Sequence, residues 1–326
     1  MNKVLILHTG GTLSMSHKED GSLFAQELKN VLNDFVPELN LIAEITHKQL
    51  FSIDSSHMNI ENIQLIAETL YQNREDYDGF VITHGTDTMA YTASALSFMF
   101  RGFNKPIVLT GAQRPLNKLR TDAKINLIDA TMIASRSEIN ETMIVFDSNI
   151  FRGCRATKHK ISEYDAFRSF NFPLLGNLGV DITYNKAIIK KKSKKFIYYP
   201  KLNSNIIVFK VYPGIFLNRL TFQEEPDAII LEVFGAGNMA FDQNLIDYMK
   251  AHKDTPIIIY SQVAVGKVNL NLYESGKIMK SFGAIGSGNI TFEALIFKVM
   301  HLLSYTSKKK NFLRNITKNL VGELDQ

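Results

Sequence analysis

The chain has 326 residues, a length that suggests about two domains. Hydrophobic residues make up 45% and charged residues 21%, a globular balance that excludes a disordered, collagenous or mucin-like chain. The net charge of +5 is too small to argue for nucleic acid, and the single cysteine, Cys154, excludes an intrachain disulfide and a cysteine-rich zinc site. The apolar run Val4–Leu7 is too short for a signal-peptide core, and no stretch approaches the roughly 18 apolar residues of a membrane span. A cytoplasmic protein with no membrane association is expected.

Short apolar runs alternate with longer helical patterns. Lys3–Leu7 reads as a buried strand ending in His8-Thr9-Gly10-Gly11-Thr12. Asn59–Asn73 has helical spacing through Ile60, Ile63, Ile66, Ala67 and Leu70. Tyr77–Thr83 is the next strand and runs into His84-Gly85-Thr86-Asp87-Thr88. A helix follows over Met89–Phe100, with Asp87 or Thr88 placed as its N-cap. Lys105–Thr110 is a strand ending in Gly111-Ala112-Gln113-Arg114-Pro115, Asp122–Ser135 is helical, and Thr142–Asp147 is a further strand. Asn205–Tyr212, Ala228–Phe234 and Pro256–Tyr260 repeat the rhythm. The run Lys190–Lys195 inside 186–201 reads as a solvated connection, as does the lysine run at 308–310.

Such alternation specifies βαβ units and a mostly parallel sheet covered on both faces. The expected fold is α/β: a larger N-terminal domain with a mostly parallel sheet flanked by helices (1–185), a linker (186–204) and a smaller C-terminal α/β domain (205–326). Ligands of such sheets bind at the carboxyl ends of the strands. Three of those ends, Thr9–Thr12, Thr83–Thr88 and Thr110–Pro115, are rich in glycine, hydroxyl and other polar groups. Gly and Thr also make ordinary turns, so one such loop would mean little, but three at one edge favour a polar site.

Other chemistries fit less well. Gly10-Gly11-Thr12 lacks the lysine of a phosphate-binding loop. Gly235–Ala240 matches G-x-G-x-x-A, but the acidic residue expected after the next strand is missing, so nicotinamide binding is not supported. The eight histidines have no metal-ligand spacing, and no Gly-x-Ser-x-Gly elbow occurs. Threonine chemistry remains, in which a weak hydroxyl nucleophile needs a neighbouring base. Thr12 and Thr86 lie at strand ends, Asp87 follows Thr86, and Lys158 lies shortly after the Thr142–Asp147 strand, where a surface lysine is the plainer reading.

Thr9-Gly10-Gly11-Thr12 and Thr83–Met89 strongly resemble the two signatures of bacterial-type L-asparaginases. Asp54-Ser55-Ser56, Thr110–Pro115, Arg120-Thr121-Asp122, Arg152–Lys158 and Ser261-Gln262 with Gly266-Lys267-Val268 resemble the cytoplasmic type I branch. The resemblance covers essentially the whole chain. It implies hydrolysis of L-asparagine to L-aspartate and ammonia by a threonine nucleophile, through a β-aspartyl-enzyme and without cofactor or metal. Thr12 would attack, and Thr86, Asp87 and Lys158 would activate the nucleophile or water, with the split of the half-reactions between the threonines left open. Asp87 would pair with the substrate α-ammonium, Ser55 and Ser56 would hold its α-carboxylate, and the N–H groups of Gly11 and Thr86 would face the oxyanion. A homodimer or homotetramer is implied, with Asn238 reaching into a neighbouring active site; Glu274 is a looser match to an accompanying acid.

Two departures stand out. The family's loop tyrosine is missing from 19–25, where Ser22 most nearly takes its place, and His57 stands where the branch carries an aspartate. Glutaminase activity is a rival within the class, because one methylene changes binding by only about 1–3 kcal/mol. An amidotransferase subunit is a second rival, and an amino-acid sensor with weak turnover is a third.

Overall fold

The computed structural model describes residues 1–11, 32, 34–215, 217, 224–240, 242–306 and 309–325. The chain divides into two compact units, Met1–Pro200 and Lys201–Gln326.

The first unit is built on an eight-stranded sheet. Its strands are β1 (Lys3–Gly10), β2 (Glu44–Ile53), β3 (Gly79–Thr83), β4 (Ile107–Thr110), β5 (Thr142–Phe146), β6 (Asn149–Arg152), β7 (Gly176–Leu178) and β8 (Ile182–Tyr184). The spatial order is β8-β7-β6-β5-β4-β3-β1-β2. The five strands from β2 to β5 pair in parallel; β6, β7 and β8 are added antiparallel. Between the parallel strands lie α1 (Ile60–Gln72), α2 (Met89–Met99) and α3 (Ala123–Ala134), with a single helical turn at Leu39–Ile42. The result is the expected α/β class, with a mostly parallel N-terminal sheet.

The central strands are apolar throughout because both their faces are covered. Every residue of β3 and β5 is buried. Val4, Ile6, Val81, Val108, Met143 and Val145 pack against Leu127, Ala130 and Ile133 of α3. Helix α2 has ten of its eleven residues buried, which explains its nearly uniform apolar and small-residue composition. Asn59 caps α1, and Asn62 returns the bond in a capping box. Two residues at helix starts turn their side chains elsewhere. Thr88 occupies the N-cap of α2, but its hydroxyl donates to Ser55 O at 2.8 Å. Asp122 precedes α3, but its carboxylate accepts from Gln113 N at 2.9 Å and Arg114 N at 2.9 Å. Both side chains tie neighbouring loops together instead of capping their own helices.

The stretch read as a solvated connection is packed onto the first unit as far as Pro200. Lys190 and Arg152 both pair with buried Glu141, at 2.8 and 2.7 Å. Burial opposes the charge on Glu141, yet these two cations hold its carboxyl below the usual range. Ile197–Tyr198 pairs with Phe100–Arg101, and the Phe196 ring sits among Tyr71, Phe100 and Phe103. Lys191–Lys195 are exposed.

The second unit carries a four-stranded parallel sheet of β9 (Ile206–Lys210), β10 (Ala228–Val233), β11 (Ile257–Ser261) and β12 (Ile285–Gly286), in that order. Its helices are α4 (Gln243–Ala251), α5 (Glu274–Ser281), α6 (Phe292–Tyr305) and α7 (Lys309–Ile316). Ile229, Leu231, Ile257 and Ile259 form its core with Leu245, Met249 and Met279. Lys298 of α6 and Glu323 are both fully buried and pair at 2.7 Å, which pins the chain's last turns. Glu323 also accepts from the N–H groups of Leu320 and Val321. Among the described residues, no helix is long and apolar enough to cross a membrane.

Asp129 on α3 is buried with one polar contact, from Ser148 Oγ at 3.2 Å. Burial raises its carboxyl to about 6 from the ordinary 3.8. A raised folded-state value means that its favourable contribution is present below pH 3.8 and lost as pH rises through 6. Asp129→Asn is therefore expected to raise the melting temperature by about 3–5 °C at pH 8 and by almost nothing at pH 4. Paired thermal melts at the two pH values check this.

Candidate active site

The carboxyl ends of β1, β3 and β4 lie side by side because the strands pair in register, His8 beside Thr83 and Thr83 beside Thr110. Their loops touch through backbone. Gly11 has φ of +78°, and a Cβ there would lie 2.5 Å from Gly85 N. A Cβ on Gly85 would lie 2.5 Å from Ser55 Oγ. These two glycines let the 10–11, 84–86 and 54–56 loops close on one another. Beneath them His84 is fully buried. Its Nδ1–H donates to Gly85 O at 2.7 Å, so Nε2 accepts from Thr92 Oγ1 at 2.9 Å. Burial pushes His84 down to about 4, so it is a neutral brace for the loop.

Lys158 is carried to this edge by the antiparallel addition to the sheet. After β6 the chain makes a tight turn at Gly153–Arg155, packed against α2. A Cβ on Gly153 would lie 3.2 Å from Ala93 O, showing how closely helix and turn approach. Because Asp87 directly precedes the N-cap residue of α2, this packing brings Lys158 to the start of the helix. Thr157–Lys158 then pairs with Phe167–Arg168. Lys158 Nζ donates to Thr86 Oγ1 at 2.8 Å and to Asp87 Oδ1 at 2.5 Å. The Lys158 side chain is 17% exposed, whereas that of Asp87 is 65% exposed. The ammonium is thus sheltered, while the carboxylate keeps a face toward solvent.

Gln113 completes the cluster, although it carried no predicted role. Thr86 Oγ1 donates to Gln113 Oε1 at 3.2 Å. Gln113 Nε2 donates to Ile161 O and Glu163 O, both at 2.9 Å. The 159–168 segment is held in turn by Lys160, which pairs with Glu163 and with Asp165, and by the Tyr164 hydroxyl on Arg120 O. The signal for Gln113 was its place in the third strand-end loop.

The predicted residues fare differently. Thr86, Asp87 and Lys158 are brought into direct contact, and Ser55 is buried beside Gly85. The Gly11 N–H does not fit the oxyanion role expected of it, because it donates to Ile53 O at 3.2 Å, extending the β1–β2 ladder. Similarly, the Ser56 N–H donates to Asp54 Oδ1 at 2.8 Å and caps its own turn. Thr12 and the 19–25 stretch with Ser22 lie outside the described residues. His57 is exposed. Asn238 belongs to the second unit, where its Oδ1 accepts from Ser275 Oγ at 2.5 Å. There Gly235–Ala240 folds back on itself through a Phe234–Asn238 bridge rather than leading straight into a helix. Glu274 is exposed in the first turn of α5. Among the described residues no three His, Cys, Asp or Glu gather in a metal-binding arrangement.

The architecture and site define a two-unit α/β protein with a threonine–carboxylate–lysine cluster at strand ends. The asparaginase N-terminal family matches residues 3–190, and the glutaminase/asparaginase C-terminal domain matches 205–315. L-asparaginase 1 of Escherichia coli K12 is 36% identical over 330 residues, covering 98% of this chain and 97% of that protein. A glutamyl-tRNA(Gln) amidotransferase component of Methanococcus vannielii is 35% identical, covering 100% of this chain and 80% of that protein. The crystal structure of L-asparaginase I from Vibrio cholerae superposes with a TM-score of 0.88 at 34% identity, covering 100% of this chain and 99% of that one. The chain belongs to the asparaginase family of hydrolases.

The glycine contacts generate a test. Gly214 also has positive φ, +90°, but nothing lies within 4 Å of a Cβ placed there. Gly214→Ala should cost only the left-handed strain, about 1–2 kcal/mol. Gly11→Ala adds a collision with backbone and should lower stability by several kcal/mol more or prevent folding. Denaturant unfolding of both variants measures the difference.

Proposed function

We propose that this chain hydrolyses the side-chain amide of L-asparagine to L-aspartate and ammonia. Family membership supports the reaction, and the observation that carries the site assignment is Lys158 bridging Thr86 and Asp87 at the strand ends. In this reading Thr12 Oγ attacks the amide carbonyl carbon. Its proton passes to the Thr86–Lys158–Asp87 cluster and then to the leaving nitrogen. The C–N bond breaks, ammonia departs, and a β-aspartyl ester remains on Thr12. Water then adds to the ester carbonyl, the ester C–O bond breaks, Thr12 regains a proton and aspartate leaves.

Substrate capture is two-ended. The solvent-facing carboxylate of Asp87 pairs with the α-ammonium, and the Ser55 hydroxyl, with that of Ser56, holds the α-carboxylate. A small polar molecule fixed at both ends presents its amide at one angle, which supplies much of the barrier lowering. The Thr86 N–H is the backbone donor assigned to the oxyanion, while the Gly11 N–H is spent on Ile53. The reaction needs no cofactor or metal. A second copy of the chain contributes Asn238 to complete the site, in a homodimer or homotetramer working in the cytoplasm. L-glutamine is a weaker substrate.

Ammonia release from L-asparagine and from L-glutamine, measured for wild type and Thr12→Ala, tests this reading. Rapid turnover of asparagine, slower turnover of glutamine and a loss of at least about a thousandfold in the variant are expected. A folded wild type that binds asparagine without releasing ammonia would make the chain a sensor and end the proposal.

A further inference from the structure

We propose that Gln113 is a positioning residue that sets the direction of the Thr86 hydroxyl, an inference that rests on the hydrolytic reading above. A threonine hydroxyl has one proton to give and two lone pairs to offer. Here Lys158 Nζ occupies one lone pair at 2.8 Å, and Gln113 Oε1 takes the proton at 3.2 Å. The remaining lone pair is the only hydrogen-bonding capacity left on that oxygen. Thr86 is thereby presented to the reacting groups as a hydrogen-bond acceptor, aligning an attacking hydroxyl or water without itself taking the proton.

Gln113 can do this because its amide cannot turn over. Its Nε2 faces two carbonyl oxygens, Ile161 O and Glu163 O, each at 2.9 Å. Flipping the amide would set Oε1 against both carbonyls and an N–H₂ group against Thr86. The hydroxyl would then have to give its proton elsewhere, and Lys158, as an ammonium, has no lone pair to take it. The backbone of Gln113 is equally fixed, since the Asp122 carboxylate accepts from Gln113 N and Arg114 N while also bonding Asn126 Nδ2 at 3.1 Å. Two loops, 111–122 and 159–168, therefore converge on one amide oxygen. Gln113 touches no reacting atom in this account; it acts through Thr86.

Two variants separate this role from a merely structural one. Gln113→Met keeps the length and loses every hydrogen bond. Gln113→Glu keeps an acceptor for Thr86 but replaces both donors to the 161–163 carbonyls with a carboxylate oxygen, a loss that thermal unfolding reads. Steady-state ammonia release from L-asparagine and thermal unfolding are measured for each. For Gln113→Met, kcat should fall about tenfold with KM within twofold, the scale of one orienting hydrogen bond. Gln113→Glu should recover most of that kcat. Wild-type kcat in Gln113→Met would overturn the proposal. So would a Gln113→Glu variant as slow as Gln113→Met, because Gln113 would then act by tying down the 161–163 backbone. A wild type without asparagine turnover would instead overturn the hydrolytic reading itself, and this proposal with it.

Discussion

One sheltered ammonium organises the first unit's functional edge. Lys158 Nζ holds Thr86 Oγ1 and Asp87 Oδ1 together. Residues 86 and 87 come from the end of a parallel strand, whereas Lys158 comes from beyond an antiparallel hairpin. Their meeting depends on the sheet changing sense after β5 and on the turn at Gly153–Arg155 packing against α2. The buried Arg152–Glu141–Lys190 cluster fastens the end of β6 just before that turn. Leaving Glu141 with neither cation would strand a buried charge, so the cluster holds a single geometry.

Around this ammonium the polar groups are nearly all committed. His84 braces the loop from below as a neutral ring, Thr88 gives up its capping role to hold the Ser55 turn, and Asp122 gives up its own to hold Gln113. Neither Thr88 nor Asp122 caps its own helix, and the loops are tied to one another instead. A missing cap costs about 1 kcal/mol, a modest sacrifice for the precision that catalysis demands. The solvent-facing carboxylate of Asp87 is the exception, and that exposure suits it to a charged substrate group.

Much of the fold was legible from apolar runs and punctuation. β1, β3, β4 and β5 announce themselves because strands covered on both faces are apolar throughout, and Gly-containing loops mark the ends of the first three. Strand β2 escaped because it is an edge strand: in Glu44–Ile53 polar and charged residues alternate with half-buried ones. Strands β6 to β8 have only four, three and three residues, too few for a clear alternation. The connection at 186–200 looked solvated from its lysines, but Phe196 and Tyr198 anchor it to an aromatic cluster that composition does not reveal.

The site was legible differently. Resemblance named Thr86, Asp87 and Lys158, and the geometry brings them into contact; nothing local in Arg152–Lys158 foretells a partner 71 residues away. Hydrogen-bond commitments are also invisible in sequence. Gly11 looked like an oxyanion donor until its N–H was found on Ile53, and Gln113 had only its place in the third strand-end loop to mark it. Both outcomes follow from where neighbouring strands end, which is a property of the register.

The claim that Thr86 and Lys158 act as one unit is tested most directly by a cycle of Thr86→Val, Lys158→Met and the double variant, assayed for ammonia release from L-asparagine. Residues that work as a unit lose nearly everything in the first substitution, so the double variant should be no slower than the worse single one, within about threefold. Losses that multiply would mean that the two side chains contribute independently, and the account built on their contact would fail.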